Sequence, residues 1–186
     1  MQMFRLMAKL LSVIFVISVF LFVMIEQGIL SWLPTFNTKV LHLPENISIM
    51  MASILAISLA AGRMIAGIVT KKVGWLWVLS FCIVSAMLIV VFVLPKIVGL
   101  EVKSINALAD IPLIGFAFPL IGLFIAPIYP LLNSIVLSAL PKNLQSSMTG
   151  LIVIFSALGG TLGSRITGWL FKNEGPEKAF YFTLIP

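Results

Sequence analysis

Glu26 is a charged residue inside a long apolar stretch, and this makes it the first candidate for function. The stretch runs from Leu10 to Phe36, and Gln27 and Gly28 follow Glu26 directly. Within a membrane, a charged side chain costs about 3 kcal/mol unless it is paired, hydrated or protonated. Glu26 and Gln27 therefore predict a site in a polar cavity that binds a proton, a cation or a solute hydroxyl. The alternative is a carboxylate near the outer interface that reaches water.

Arg165 is a second charge inside an apolar stretch and is a possible partner for Glu26. The two residues lie at similar distances from the outer ends of their stretches. An ion pair between them would relieve the burial cost of both charges. In the alternative arrangement, Arg165 extends to the outer interface with its aliphatic stem along Trp169.

Tyr129 and Asn133 are a pair of hydrogen-bonding side chains four residues apart. This spacing places both on one face of a helix. A sugar-like solute requires such side chains together with an aromatic surface for stacking. The pair therefore predicts a solute contact, although a hydrogen bond between two helices would use the same residues.

The sequence has no pattern typical of an enzyme. It lacks a nucleophile placed beside a base, the His/Cys/Asp spacing of a metal site, and a phosphate-binding glycine loop. We therefore expect no catalytic activity, no metal and no cofactor. The net charge of +6 could suggest nucleic-acid binding. Basic loops beside a membrane account for it, so we expect no nucleic-acid partner.

Composition determines the broad class. The 186 residues are 61% hydrophobic and only 10% charged, with a mean hydropathy of +1.19. A soluble domain of this size has too little interior for so many apolar side chains. The sequence therefore predicts an integral membrane protein whose surface contacts the lipid bilayer.

Five apolar stretches are long enough to cross a bilayer as helices. The third is apolar on all sides and is expected to face lipid, whereas the proline-rich fourth is expected to be kinked and interior. An eight-residue segment at the end of the sequence predicts the start of a sixth helix that is cut off. The predicted fold is a single all-α transmembrane domain over residues 1–186, with helices at about 10–36, 47–67, 75–94, 112–140 and 144–171 and a partial helix at 179–186.

A basic segment between the second and third stretches indicates orientation. It begins at Gly62-Arg63, passes Gly67 and Lys71-Lys72, and ends at Gly74. Cations beside a membrane favour the cytoplasmic side. With the predicted helices, one side carries six cations and no acid: Arg5, Lys9, Arg63, Lys71, Lys72 and Lys142. We therefore expect a cytoplasmic N-terminus, in a bacterial inner membrane.

Several of these segments resemble the C-terminal half of a major facilitator superfamily transporter. The basic segment, with its glycines at Gly62, Gly67 and Gly74, is similar to a cytoplasmic loop of that family. Lys71 stands where the family usually has an acidic residue, so the charge network of that acid is absent here. Other segments resemble the family's seventh, tenth and eleventh helices: Glu26 with Trp32-Leu33-Pro34, Gly122 to Pro130, and Pro141-Lys142 with Thr149-Gly150 and Gly159-Gly160-x-x-Gly163. The first of these is similar to solute symporters of the fucose and glucose group.

The resemblance implies a function for the intact molecule. It would be a secondary active transporter that moves a small polar solute, such as a sugar, by alternating access. Its partners would be the solute, a proton or sodium as coupling ion, and a missing N-terminal half. A multidrug or metabolite efflux pump is one alternative, and a helical membrane subunit that transports nothing is another.

Overall fold

The computed structural model describes residues 10–98 and 108–185, and this part of the chain contains helices and no strand. Five helices are long and apolar enough to cross a membrane. They are α1 (Leu10–Lys39), α2 (Glu45–Val73), α3 (Trp75–Val98), α4 (Leu113–Ala139) and α5 (Lys142–Asn173). A short helix, α6 (Pro176–Tyr181), continues into a 3-10 turn at Phe182–Leu184. The predicted all-α membrane fold with five spanning helices is confirmed.

The connections are shorter than predicted, because several helices extend further. The predicted basic loop at Gly62–Gly74 is largely helical, since α2 continues to Val73. Only Gly74 lies between α2 and α3. Its φ of 90° is a backbone conformation that residues other than glycine rarely adopt. Four of the six cations that define the predicted basic side fall within the described residues. Two of these, Lys71 and Lys72, lie in the last turn of α2, while Arg5 and Lys9 lie outside the described part.

Helix α3 continues past Pro95, where the sequence predicted a loop. Its middle segment, Ile89–Val93, is π-helical, and a regular α-helix resumes at Leu94–Val98. Proline cannot donate a backbone hydrogen bond, and its ring crowds the carbonyl four residues earlier, here that of Val91. A wider helical turn relieves this crowding, so the helix continues instead of ending.

Helix α4 consists of four short helical segments. A 3-10 turn at Leu113–Phe116 leads into segments at Ala117–Leu120, Gly122–Ile125 and Ile128–Ala139. Because Pro119, Pro127 and Pro130 cannot donate backbone hydrogen bonds, the helix is repeatedly interrupted. The interruptions are buried: Ile121 and Ala126, which separate the last three segments, have almost no exposed surface. The interruptions agree with the predicted kinks, and the buried residues of α4 lie between Gly115 and Ile128.

Close packing between α1 and α5 sets the centre of the bundle. Gly159 lies directly against the backbone carbonyl of Phe20, and Gly163 lies directly against that of Met24. One turn further, Gly28 on α1 faces the hydroxyl of Thr167. Small residues allow helix backbones to approach closely in lipid, where no hydrophobic force holds helices together. Helix α1 is therefore held at a fixed depth and rotation.

Aromatic rings pack together at the end of the bundle opposite Gly74. Phe36 of α1 stacks on Phe118 of α4 at 5.6 Å between ring centroids, and both rings contact Phe180 of α6 edge to face at 4.8 and 4.9 Å. Nearby, the indole N–H of Trp32 donates to the Ser164 carbonyl at 2.8 Å. These contacts tie α1 to α4, α5 and α6 at this end.

Candidate functional site

Glu26 is buried near the middle of α1, with 6% of the residue exposed. The neighbouring residues Met24 and Gly28 contact α5, and these contacts fix the rotation of this part of α1. The carboxylate then lies toward α2. Glu26 is therefore a buried carboxylate within the length of a helix that could span a membrane.

Arg63 of α2 is the ion-pair partner of Glu26. Its Nη2 donates a hydrogen bond to Oε1 of Glu26 at 3.4 Å. Side chains in a helix tilt toward its N-terminus, so Arg63 reaches from the basic half of α2 toward the level of Glu26. The exposure is unequal, with 54% of the Arg63 side chain exposed and only 8% of that of Glu26.

The predicted pair of Glu26 with Arg165 is wrong. Arg165 is exposed on α5, and Glu26 forms its ion pair with Arg63 instead. Helix geometry explains this difference. Gly163 and Thr167 face α1, and Arg165 lies two residues from each, or about 200° around the helix. Arg165 therefore points away from α1.

The Glu26–Arg63 contact is a single, long hydrogen bond and not a bidentate one. Arginine carries five N–H donors, and this contact uses one of them. A buried carboxylate loses its hydration, and a nearby cation offsets part of that cost. Arg63 therefore stabilises the ionised form of Glu26. More than half of the Arg63 side chain is exposed. Chemically, the carboxylate of such a pair can accept a proton, whereas the guanidinium stays charged and can only donate hydrogen bonds.

Gln27 lies against α5. Its Cγ atom is 3.1 Å from where a side chain at Gly160 would begin, so the Gln27 side chain packs closely against α5 at this glycine. Gln27 is half-buried. The predicted polar patch therefore separates in space, because Glu26 faces α2 while Gln27 lies beside α5.

A second polar cluster lies where α4 meets α5. The Tyr129 hydroxyl is 3.2 Å from the Ser156 hydroxyl, and the Tyr129 ring stacks on Phe22 with centroids 6.4 Å apart. The Oδ1 atom of Asn133 is buried with no hydrogen-bond partner in the described part of the chain. Sequence reasoning missed Ser156, although its position three residues before Gly159 on the α1-facing side of α5 was a usable signal.

Both clusters lie along one face of α1. Phe22, which stacks on Tyr129, precedes Glu26 by one helical turn. The Tyr129 cluster therefore lies about one turn closer to the basic end of the bundle than the Glu26–Arg63 pair. Arg165 belongs to neither cluster.

The residues of the basic segment have separate roles. Gly62 lies directly against the Leu123 carbonyl and allows α2 to pack on α4. A side chain added at Gly67 would meet nothing within 4 Å. Lys71 and Lys72 are exposed at the end of α2. Arg63, which the sequence placed in the loop motif, instead forms the ion pair with Glu26.

The described residues contain no group of three His, Cys, Asp or Glu side chains that could hold a metal ion.

A family model for the Major Facilitator Superfamily matches residues 2–164. This chain belongs to the Major Facilitator Superfamily. Among curated proteins, the glycerol-3-phosphate transporter of Haemophilus influenzae is 26% identical over 182 residues, which covers 93% of this chain. The chain spans 38% of the length of that relative. No solved structure matches the chain.

Membership of the superfamily and the five apolar helices identify an integral membrane protein. The resemblance noted in the sequence is thereby confirmed at the level of the superfamily.

Proposed function

We propose that this chain is half of a secondary active transporter that moves a small, polar, sugar-like solute by alternating access, with an N-terminal half supplying the rest of the solute cavity. Superfamily membership supports transport over catalysis. In such transporters the solute binds near the membrane midplane, between two halves that rock against each other. The membrane is proposed to be a bacterial inner membrane with the N-terminus in the cytoplasm, because Lys71, Lys72 and Lys142 lie at one end of the bundle.

The observation that carries this proposal is the Glu26–Arg63 pair inside the spanning helices. Intramembrane charges are expensive, and those that occur mark transport pathways in many membrane proteins. Here the carboxylate is buried while the guanidinium is half exposed, so one partner is held and the other is accessible. A solute oxygen could bind the unused N–H donors of Arg63 without displacing Glu26.

The coupling ion is proposed to be a proton. Sodium would have to approach Glu26 against the positive charge of Arg63, which lies 3.4 Å away. A proton instead neutralises the carboxylate on binding and so weakens the Arg63 contact. Protonation would thereby release Arg63 from Glu26 and give the two states of a transport cycle different stabilities.

The solute contacts are proposed to include Tyr129 and Asn133. The unpartnered Oδ1 of Asn133 is an acceptor that a solute hydroxyl would satisfy, since buried polar atoms are normally hydrogen-bonded. Gln27 is proposed to contribute a further polar contact beside α5. Arg165 points away from these residues. It is a candidate solute contact only if the proposed N-terminal half covers the face of α5 on which Arg165 lies.

The test is Glu26→Gln in the full-length protein, reconstituted in vesicles with radiolabelled glucose, fucose or glycerol 3-phosphate. We expect accumulation driven by a pH gradient to fall to the level of passive equilibration, while exchange of internal for external solute continues. The matched control is Glu174→Gln, which removes an exposed carboxylate paired with Lys178 at 2.9 Å. Accumulation that persists in Glu26→Gln would refute the role of Glu26, and dependence on a sodium gradient in the wild type would refute the proton.

A second candidate function is exchange of an anionic, phosphorylated solute. It is favoured by the exposed cations Arg63 and Arg165 within helices, and by the name of the Haemophilus influenzae relative. Arg63 is paired with Glu26, but helices α4 and α5 contain no acidic residue to offset Arg165. Competition distinguishes the two candidates: glycerol 3-phosphate and inorganic phosphate would inhibit uptake under this alternative, and neutral sugars would not. Loading the vesicles before the assay also separates uptake from efflux.

A further inference from the structure

Ser156 of α5 carries a hydroxyl group to which the proposed function gives no role. This hydroxyl lies 3.2 Å from that of Tyr129 on α4, and either group can be the donor. Several other hydroxyl groups of the described helices bond differently. They donate to the carbonyl four residues earlier on their own helix, as in Ser18, Ser53, Thr70, Thr149 and Thr161. The hydroxyl of Ser156 instead joins two helices.

The last segment of α4, Ile128–Ala139, begins directly after a helix interruption. Tyr129 lies in the first turn of this segment, so no continuous helix runs through this residue to fix its position. Apart from Ile128, the residues of the segment are half-buried or exposed. Gln145 of α5 donates to two backbone carbonyls at the C-terminal end of α4, at 2.8 and 3.1 Å. Near the start of the segment, Ser156 supplies the hydrogen bond to α5.

Two contacts set the position of the Tyr129 side chain. Its ring stacks on Phe22 with centroids 6.4 Å apart, which is near the long end of the range for aromatic pairs. A ring contact does not orient a hydroxyl group, whereas a hydrogen bond does. The direction of the Tyr129 hydroxyl is therefore set by Ser156.

The hydroxyl pair keeps hydrogen-bonding capacity for a ligand. Each hydroxyl has one donor hydrogen and also accepts hydrogen bonds, and the contact between them uses one of the two hydrogens. Asn133, one turn beyond Tyr129, adds an acceptor oxygen with no partner in the described part of the chain. A solute hydroxyl both donates and accepts, so it can bond to this combination.

We propose that Ser156 is a positioning residue of the solute site, whose hydroxyl orients the Tyr129 phenol toward a hydroxyl-bearing solute. This inference rests on the proposed role of Tyr129 as a solute contact. Gly160, where Gln27 of α1 packs, lies one turn after Ser156 on α5. Ser156 is therefore one turn from a second proposed contact, and a solute bound here would lie among side chains of α1, α4 and α5.

The test is a double-mutant cycle in the full-length protein, with Tyr129→Phe, Ser156→Ala and both changes together. Uptake into vesicles is measured separately for radiolabelled glucose, fucose and glycerol 3-phosphate. We expect Ser156→Ala to raise KM about fivefold with the maximal rate nearly unchanged, because one hydrogen bond that orients a solute contact is lost. It should have no further effect in the Tyr129→Phe protein. A merely structural defect would instead lower the maximal rate without moving KM.

Two further variants complete the series. Ser156→Thr keeps a hydroxyl and should keep KM close to the wild-type value. The matched control is Thr149→Val, which removes an exposed hydroxyl bonded within α5 to the Gln145 carbonyl at 2.9 Å and should leave KM unchanged.

The outcomes separate this role of Ser156 from the proposed function. A wild-type KM in Ser156→Ala, together with a raised KM in Tyr129→Phe, would overturn the role of Ser156 and leave the proposed function standing. An unchanged KM in Tyr129→Phe would remove Tyr129 from the solute site, and the role of Ser156 with it. Melting temperatures of the four proteins of the cycle test the hydrogen bond without transport. We expect the shifts of the two single changes to be non-additive, and additive shifts would also overturn the proposal.

Discussion

Replacing Gly163 with alanine should destabilise the bundle, because the new methyl group has no space. A side chain at this position would lie directly against the Met24 carbonyl oxygen and 2.7 Å from its carbon, well inside contact distance. These are backbone atoms, so the clash cannot be relieved by turning a flexible side chain. Helices α1 and α5 must separate, and overpacking of this kind costs about 1–3 kcal/mol. Because Met24 precedes Glu26 by two residues, we expect transport to fall as well.

The same helix supplies the matched control. Gly150 lies within α5, and a side chain there would meet nothing within 4 Å. Alanine is a better helix former than glycine by about 1 kcal/mol, so Gly150→Ala should stabilise the protein slightly. Thermal unfolding of the full-length protein in detergent should show opposite shifts in the melting temperature of the two variants. A Gly163→Ala protein as stable as wild type would refute the close α1–α5 packing.

Two further substitutions test the proposed site. Arg63→Gln leaves the Glu26 carboxylate buried without a partner and should cost about 2 kcal/mol in unfolding free energy, less than a fully buried pair because Arg63 is half exposed. Adding Glu26→Gln should restore stability but not gradient-driven uptake; failure to restore stability would contradict the pairing. Asn133→Leu removes a buried, unpartnered acceptor and should raise stability by about 1 kcal/mol while lowering solute uptake. Unchanged uptake would remove Asn133 from the solute site, and thermal unfolding and vesicle uptake are the two measurements.

The membrane-spanning architecture was predictable from sequence because lipid imposes a simple rule. Every backbone polar group must bond within its own segment, so long apolar stretches become helices. Helix bounds were less predictable. Pro95 indicated a loop, but π-helical widening at Ile89–Val93 allows α3 to continue to Val98. Similarly, α2 continues through the predicted loop to Val73 because a single glycine is enough for the turn.

Glu26 could be chosen from sequence because a charge in an apolar stretch stands out without any knowledge of packing. Its partner could not be chosen in this way. Arg63 and Arg165 both lie in apolar stretches, and the choice between them depends on which face each helix presents to α1. Gly163 and Thr167 occupy the face of α5 toward α1, so Arg165 points away. The side chain of Arg63 tilts toward the N-terminus of α2 and lies 3.4 Å from Glu26. Sequence alone thus determined the class, the number of spanning helices and the candidate acid. The tertiary structure decided the pairing, because pairing depends on the rotation and depth of helices that packing sets.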